Sequence, residues 1–375
     1  MMDADPARPT PAFRIDTAGR APRLAVAAAG VMLLVLVLLP AFAGRNLIQD
    51  LIFLFYMLAL AQCWNLLAGY AGLMSVGQQA FVGLGGYLLF ALTLLGGINP
   101  LLAIPIAGLV SALFAFPTAL IVFRLRGAYF AIGTWVVAEV YRLVFAQFKA
   151  LGGGTGASLA PSVTSSVPGI EWVKTLFDVR TPAARDIVSY WVALALMAGT
   201  LAFVYLILRS RRGLALGAIR DHEGAAAGLG VDIYRIKLAV YVATAAVTGM
   251  VGALIYLQKA RISPDAAFSV LDWTAYVIFI TVIGGIGTME GPVVGAIIFY
   301  LMQRYLADFG AAYLILLGAL GILVILLFAP KGLWGLISER HDLTLFATRR
   351  RLVIPTRNGD RGEQQANSIT IKQYD

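Results

Sequence analysis

Few residues in this chain have the type and spacing to do chemistry. Glu139 and Arg142 are the clearest ionisable pair inside an apolar stretch. Their i, i+3 spacing sets both on one helix face, where they either neutralise each other or line a path. Asp50, Asp272 and Asp308 fall at the ends of apolar stretches, and His222 and His341 fall in polar segments. A proton relay needs ionisable groups in series within the membrane, and this pattern supplies none. Cys63 is the only cysteine, so no intrachain disulfide can form. The candidate groups are too scattered for a catalytic constellation or a metal site. Gly72-Leu-Met-Ser-Val-Gly77 is not a nucleophile elbow and has no base beside it. No Gly-x-x-x-x-Gly-Lys-Ser/Thr phosphate loop occurs either. The expectation is a chain with no catalytic residue, no metal and no cofactor of its own. If it moves a solute uphill, another subunit supplies the energy.

The elements that must position these residues are membrane helices. The chain has 375 residues, 60% of them hydrophobic and 13% charged. Soluble domains are typically about 45–50% apolar and about 25% charged, so the solvent here is largely lipid. A spanning helix needs about 20 mostly apolar residues. Ten stretches qualify: 24–43, 48–68, 79–96, 101–123, 128–148, 187–208, 237–258, 272–289, 292–308 and 311–329. The fold class expected is therefore all-α and polytopic, with about ten transmembrane helices. With the N-terminus inside, 20 Lys and Arg fall on the inner side and 7 on the outer, so both termini are expected in the cytoplasm. The organisation read from this is a cytoplasmic tail at 1–23, a transmembrane domain at 24–337 and a basic, disordered tail at 338–375. The first span rivals a signal peptide, because it ends Pro40-Ala-Phe-Ala-Gly44, but its long polar leader favours a retained anchor. Residues 149–186 form a long outer connection, broken by glycines and prolines.

Glycine concentrates in two zones, Gly69 to Tyr87 and Gly284 to Ala296. Small residues let membrane helices approach closely. Clusters of them also break helices, and the backbone exposed at a break must line protein or a water-filled cavity. Breaks in corresponding places of two halves often mark a solute path. The break residues singled out are Gly72, Gly77, Gly284, Gly285, Gly287, Gly291 and Pro292.

A polar inner segment lies between the sixth and seventh spans, within 209–236. Leu214, Ala218, Ile219, Ala225, Ala226 and Leu229 give it an apolar side, with Arg220, Asp221 and Glu223 between. A short helix lying across the inner surface would transmit force to a docked partner, or would rest on lipid headgroups.

This segment resembles the coupling loop of ATP-binding-cassette importer permeases, in which Glu-x-Ala-Ala is followed by Gly; Glu223, Ala225, Ala226 and Gly230 fit that pattern. More widely, the chain resembles the M-type subunit of the branched-chain amino acid permease family. The stretches that carry the likeness are Trp64-Asn-Leu-Leu-Ala-Gly-Tyr-Ala-Gly72, Arg126-Gly-Ala-Tyr-Phe-Ala-Ile-Gly-Thr134, Ala218-Ile-Arg-Asp-His-Glu223, Ile283 to Ala296, and Phe328-Ala-Pro-Lys-Gly-Leu-Trp-Gly335. Two places depart from the family pattern. Ser75-Val-Gly-Gln78 stands where the family commonly has Ser-Leu-Gly-His, and Gly152-Gly-Gly-Thr155 where it has Thr-Gly-Gly.

The resemblance implies a permease subunit of a bacterial inner-membrane importer for branched-chain or related small amino acids. It implies a second homologous permease, two cytoplasmic ATP-binding subunits that hold ATP and Mg, and an external solute-binding protein, with no nucleic acid involved. Arg220, Asp221, Glu223, Ala225, Ala226 and Gly230 would couple to the ATPases, and Ser75, Gln78, Gln79, Tyr129 and Thr134 would line the path. The same architecture serves urea and short amides, and a self-sufficient ion-coupled carrier is the alternative mechanism.

Overall fold

The computed structural model describes residues 14–16, 20–165, 167–306, 318, 321, 323, 332–341 and 351–353. The helices in chain order are α1 (Arg20–Leu38), α2 (Arg45–Asn65), α3 (Gln78–Phe90), α4 (Pro100–Val122), α5 (Ala128–Ala146), α6 (Pro161–Ser165), α7 (Ile170–Phe177) and α8 (Thr181–Arg209). Next come α9 (Arg211–Asp221), α10 (Glu223–Gly228), α11 (Ile233–Lys259), α12 (Pro264–Ala267), α13 (Tyr276–Gly284), α14 (Gly291–Leu306) and α15 (Gly332–His341). Wide π-helical turns extend α2 over Leu66–Tyr70 and α3 over Ala91–Leu95, and another leads into α13 over Leu271–Ala275.

Among the described residues, seven helices are long and apolar enough to cross a membrane: Arg45–Tyr70, Gln78–Leu95, Pro100–Val122, Ala128–Ala146, Thr181–Arg209, Ile233–Lys259 and Pro264–Gly284. The chain is thus an all-α, multi-pass membrane protein. The expected count of ten is not tested by the described residues, for three separate reasons. The described apolar stretch of the first helix is Ala27–Ala41. α14 is described over 16 residues, as far as Leu306, which is about 24 Å at 1.5 Å per residue. The stretch 311–329 lies almost wholly outside the described residues, as do 1–13 and most of the tail beyond 341. Within that tail Arg351–Val353 pairs antiparallel with Arg14–Asp16.

α2 is the axis of the bundle, and it is apolar all round as such a helix must be. From Phe55 to Asn65 every one of its residues is buried. α8 packs along its first half, and α11 joins it to α3 and α4. Small residues set the spacing of that second group. A Cβ on Gly85 would stand 2.0 Å from Gly249 O, so the backbones of α3 and α11 touch and only glycine fits.

Among the described residues, the ion pairs lie at the end of the bundle that carries residues 149–180 and at the α9–α10 end. Arg45 Nε donates to Asp186 Oδ2 at 2.6 Å, and Gln49 Nε2 reaches the same oxygen at 2.9 Å. Asp186 is buried, and these two donors satisfy it. Arg304 and Tyr300 of α14 both meet Asp50 of α2. The Glu139–Arg142 pair gains a third member, since Arg142 Nη1 donates to Asp265 Oδ1 at 2.7 Å and so ties α5 to α12. The 149–186 connection is packed rather than loose: Leu151, Leu159, Val167, Ile170 and Val173 are buried, and Ala157–Ser158 pairs with Arg261–Ile262. α1 is attached to α8 through its main chain. Tyr190 Oη donates to Leu36 O at 2.7 Å and Trp191 Nε1 to Val37 O at 3.1 Å.

Candidate solute path and coupling surface

The first glycine zone folds back into the bundle. After the π turn at Leu66–Tyr70 the chain reverses at Gly72, whose φ of 68° suits glycine. It then climbs beside α2. Trp64 Nε1 donates to Ser75 O at 2.8 Å and Gln78 Nε2 to Leu60 O at 2.9 Å. α3 therefore starts level with Leu60. At 1.5 Å per residue that is about 15 Å along α2 from Tyr70, deep in the bundle. Val76 N donates to Thr134 Oγ1 at 3.0 Å, Gly77 N to Ser75 Oγ at 3.2 Å and Gln79 N to Thr274 Oγ1 at 3.3 Å. The Thr274 hydroxyl donates back to Gln79 Oε1.

Ser75, Gln78, Gln79 and Thr134 thus meet in one buried polar cluster between α2, α3, α5 and the turn before α13. Tyr129 does not join them; it is 70% exposed. It lies five residues from Thr134 on α5, which at 100° per residue turns it roughly 140° away. The cluster gains Thr274, which motif reading left unassigned, whereas Trp64 lies outside it and ties the main chain of the break to α2. Trp64 opened a recognised stretch. Thr274 carried no signal, since isolated threonines are common in apolar helices.

The second zone meets the opposite face of α2. α13 stops at Gly284 and α14 starts at Gly291; Gly285 and Gly287 between them have φ of 129° and 74°. Asn65 Oδ1 accepts from Gly287 N at 2.8 Å and its Nδ2 donates to Thr288 O at 2.7 Å, while Gln62 Nε2 donates to Met289 O at 2.7 Å. Two side chains of α2 thereby hold the main chain of three consecutive loop residues. Gly291 N donates to Thr288 Oγ1 at 3.1 Å, which caps α14, and Pro292 follows in its first turn. The two zones also touch each other: a Cβ on Gly69 would stand 2.5 Å from Gly287 N. An Asn and a Gln inside an apolar span were the signal for this clamp, and their partners lie more than 220 residues away.

The polar segment forms two short helices rather than one. The chain is extended at His222 (φ −162°, ψ 108°), whose Nδ1 accepts from Ala225 N at 3.1 Å and caps α10. Its apolar side is divided. Leu216, Ile219 and Ala226 are buried against the bundle, whereas Leu214 and Leu229 are exposed, Leu229 at 81%. Ala225 and Gly230 are exposed as well, the latter at a φ of 82°. Glu223 pairs with Lys237 of α11, and Arg220 with Asp221 at 3.4 Å. α9 packs on the π turn that ends α2. Arg220 Nη1 lies 3.4 Å from where a Cβ on Gly287 would stand, so the segment abuts both breaks.

Comparison with known proteins agrees with this architecture. The family described as branched-chain amino acid transport system / permease component matches residues 46–327. The high-affinity branched-chain amino acid transport system permease protein LivM of Escherichia coli is 31% identical over 334 residues, covering 79% of this chain and 77% of that protein. Its Salmonella typhimurium counterpart is 31% identical over 280 residues, covering 72% of this chain and 65% of the relative. The probable branched-chain amino acid transport permease protein LivH of Methanocaldococcus jannaschii is 24% identical over 272 residues, covering 69% of this chain and 82% of the relative. No solved structure matches. With most of its length matched and its membrane helices in place, the chain belongs to the family of branched-chain amino acid transport permease components.

Proposed function

We propose that the chain is one transmembrane subunit of an ATP-binding-cassette importer for branched-chain or related small amino acids. It works beside a second, homologous permease in a bacterial inner membrane, with both termini in the cytoplasm. Two cytoplasmic ATP-binding subunits hold ATP and Mg, and an external solute-binding protein delivers the cargo. The observation that carries this reading is the contact of α9 with both breaks, together with the packing of α10 on α9. The exposed residues Glu223, Ala225, Leu229 and Gly230 lie on and just after α10, which packs on α9, and α9 meets the π turn of α2 and, through Arg220, Gly287. A push on that surface therefore reaches the two places where the helices are interrupted. ATP binding closes the partner subunits, shifts α9 and α10, and changes access to the Ser75–Gln79 cluster.

The test is uptake. Glu223→Lys opposes Lys237 and reverses the charge on the docking surface, so ATP-driven uptake should vanish while membrane abundance stays unchanged. Wild-type uptake by that variant would refute the docking assignment. Accumulation of leucine by the purified chain alone, in liposomes under a proton or sodium gradient, would refute the importer reading and favour a secondary carrier.

A further inference from the structure

The start of α3 carries polar groups that the fold does not use. Its N-cap, Gly77, has no side chain to satisfy the first N–H groups. Gln79 N turns to Thr274 Oγ1 and Ala80 N to Gly77 O, and among the described residues Gln78 N has no partner. The Gln78 side chain is 4% exposed. Its Nε2 donates to Leu60 O, which fixes which end of the amide is which, because the reversed amide would set two oxygens face to face. Gln78 Oε1 diverges from that bond on the same planar group and is buried without a partner. Gln62 Oε1 is unpaired too, but it lies within α2 and not at a helix start. Gln78 alone joins an unpaired buried acceptor to an unpaired donor at a helix start.

A helix N-terminus carries roughly half a positive charge and attracts carboxylates, most strongly where water is excluded. A neutral carbonyl oxygen receives an ammonium group without a buried charge of its own. An α-amino acid carries a carboxylate and an ammonium on one carbon, so a single residue offering both partners matches its invariant part. Half-helices that begin near the middle of a membrane present their N-termini to anionic groups of solutes in this way.

Building on the importer reading, we infer that Gln78 is a cargo-contacting residue. Its backbone N–H donates to the α-carboxylate and its Oε1 accepts from the α-ammonium, with the hydroxyls of Ser75 and Thr134 beside them. This subsite recognises the part common to all α-amino acids and leaves the choice among side chains to other surfaces.

The test compares two variants in cells that lack the native chain and express it from a plasmid with its partner subunits, using radiolabelled L-leucine. Gln78→Met removes the bond to Leu60 O and the free oxygen together. Trp64→Phe removes a comparable bond, to Ser75 O, and leaves Gln78 intact. Gln78→Met should lower the initial uptake rate at least tenfold at equal membrane abundance, and Trp64→Phe should keep at least half the wild-type rate. Should Gln78→Met fail to reach the membrane, Gln78→Asn, which withdraws the amide by one methylene, should lower uptake severalfold. Wild-type uptake by the Gln78 variant that reaches the membrane overturns the subsite. So does a Trp64→Phe loss as deep as that of Gln78→Met, since the bond to α2 would then be what matters. No uptake by the wild type with its partners present overturns the importer reading itself, and the subsite with it.

Discussion

The two glycine-rich breaks dock on opposite faces of α2, yet they end differently. At Gly285–Gly291 both ends of the Asn65 amide are used, Gln62 adds a third bond, and Thr288 caps the helix that follows. At Ala71–Gln78, Trp64 and Gln78 each supply one bond to the α2 side, and the helix that follows starts uncapped with groups to spare. The clamped break lies against Arg220 of the coupling surface, whereas the uncapped one reaches the centre of the bundle. On the proposed reading, similar sequence signals serve two mechanical roles: one is a latch that passes on displacement, the other a site whose buried spare groups receive a solute.

Substitutions can break or sharpen this contrast. The largest effect belongs to the place where the breaks touch. Gly69→Val drives a branched side chain into Gly287 N, and overpacking of this kind costs about 1–3 kcal/mol or more. The detergent-solubilised protein should melt well below the wild type or fail to accumulate; normal melting would mean that the two zones do not depend on their contact. Next is Asn65→Leu, which strands Gly287 N and Thr288 O in an apolar setting at about 2–3 kcal/mol. Thermal unfolding should register it, and uptake should fall in step. Gln62→Leu removes one bond and should cost about half as much. The smallest effect is expected in the first break. Ser75→Ala removes a bond of 3.2 Å to Gly77 N, worth about 0.5–1 kcal/mol, so its melting temperature should barely move. A Ser75→Ala loss as large as that of Asn65→Leu would erase the distinction between latch and site.

Much of this was legible in the residues alone. Long apolar runs announce membrane helices, because hydrocarbon leaves a backbone little other choice. The membrane-length helices between Arg45 and Lys259 begin and end within a few residues of the spans read from hydropathy, except α8, which starts six residues early at Thr181. That turn of helix was hidden by Arg185 and Asp186, whose charges read as a loop, although Asp186 is satisfied by Arg45 and Gln49. The polar segment before α11 was visible as too polar to cross, but its division at His222 was not, since no proline or glycine marks that position. The partners of Asn65 and Gln62 were invisible for a different reason: both side chains grip main-chain atoms, and a carbonyl or N–H has no letter in the sequence. Tyr129 lies in the same motif as Thr134 but is exposed and turned away from the cluster, a difference that motif membership does not carry.

The attachment of α1 has a consequence for how the chain can vary. Tyr190 and Trp191 hold Leu36 and Val37 by their carbonyl oxygens, atoms that every amino acid possesses. Apart from Leu36, which packs on the core, mutation in this leading segment is therefore filtered mainly for greasiness and helical habit. Its alphabet should drift freely among relatives while the two aromatic anchors on α8 stay put.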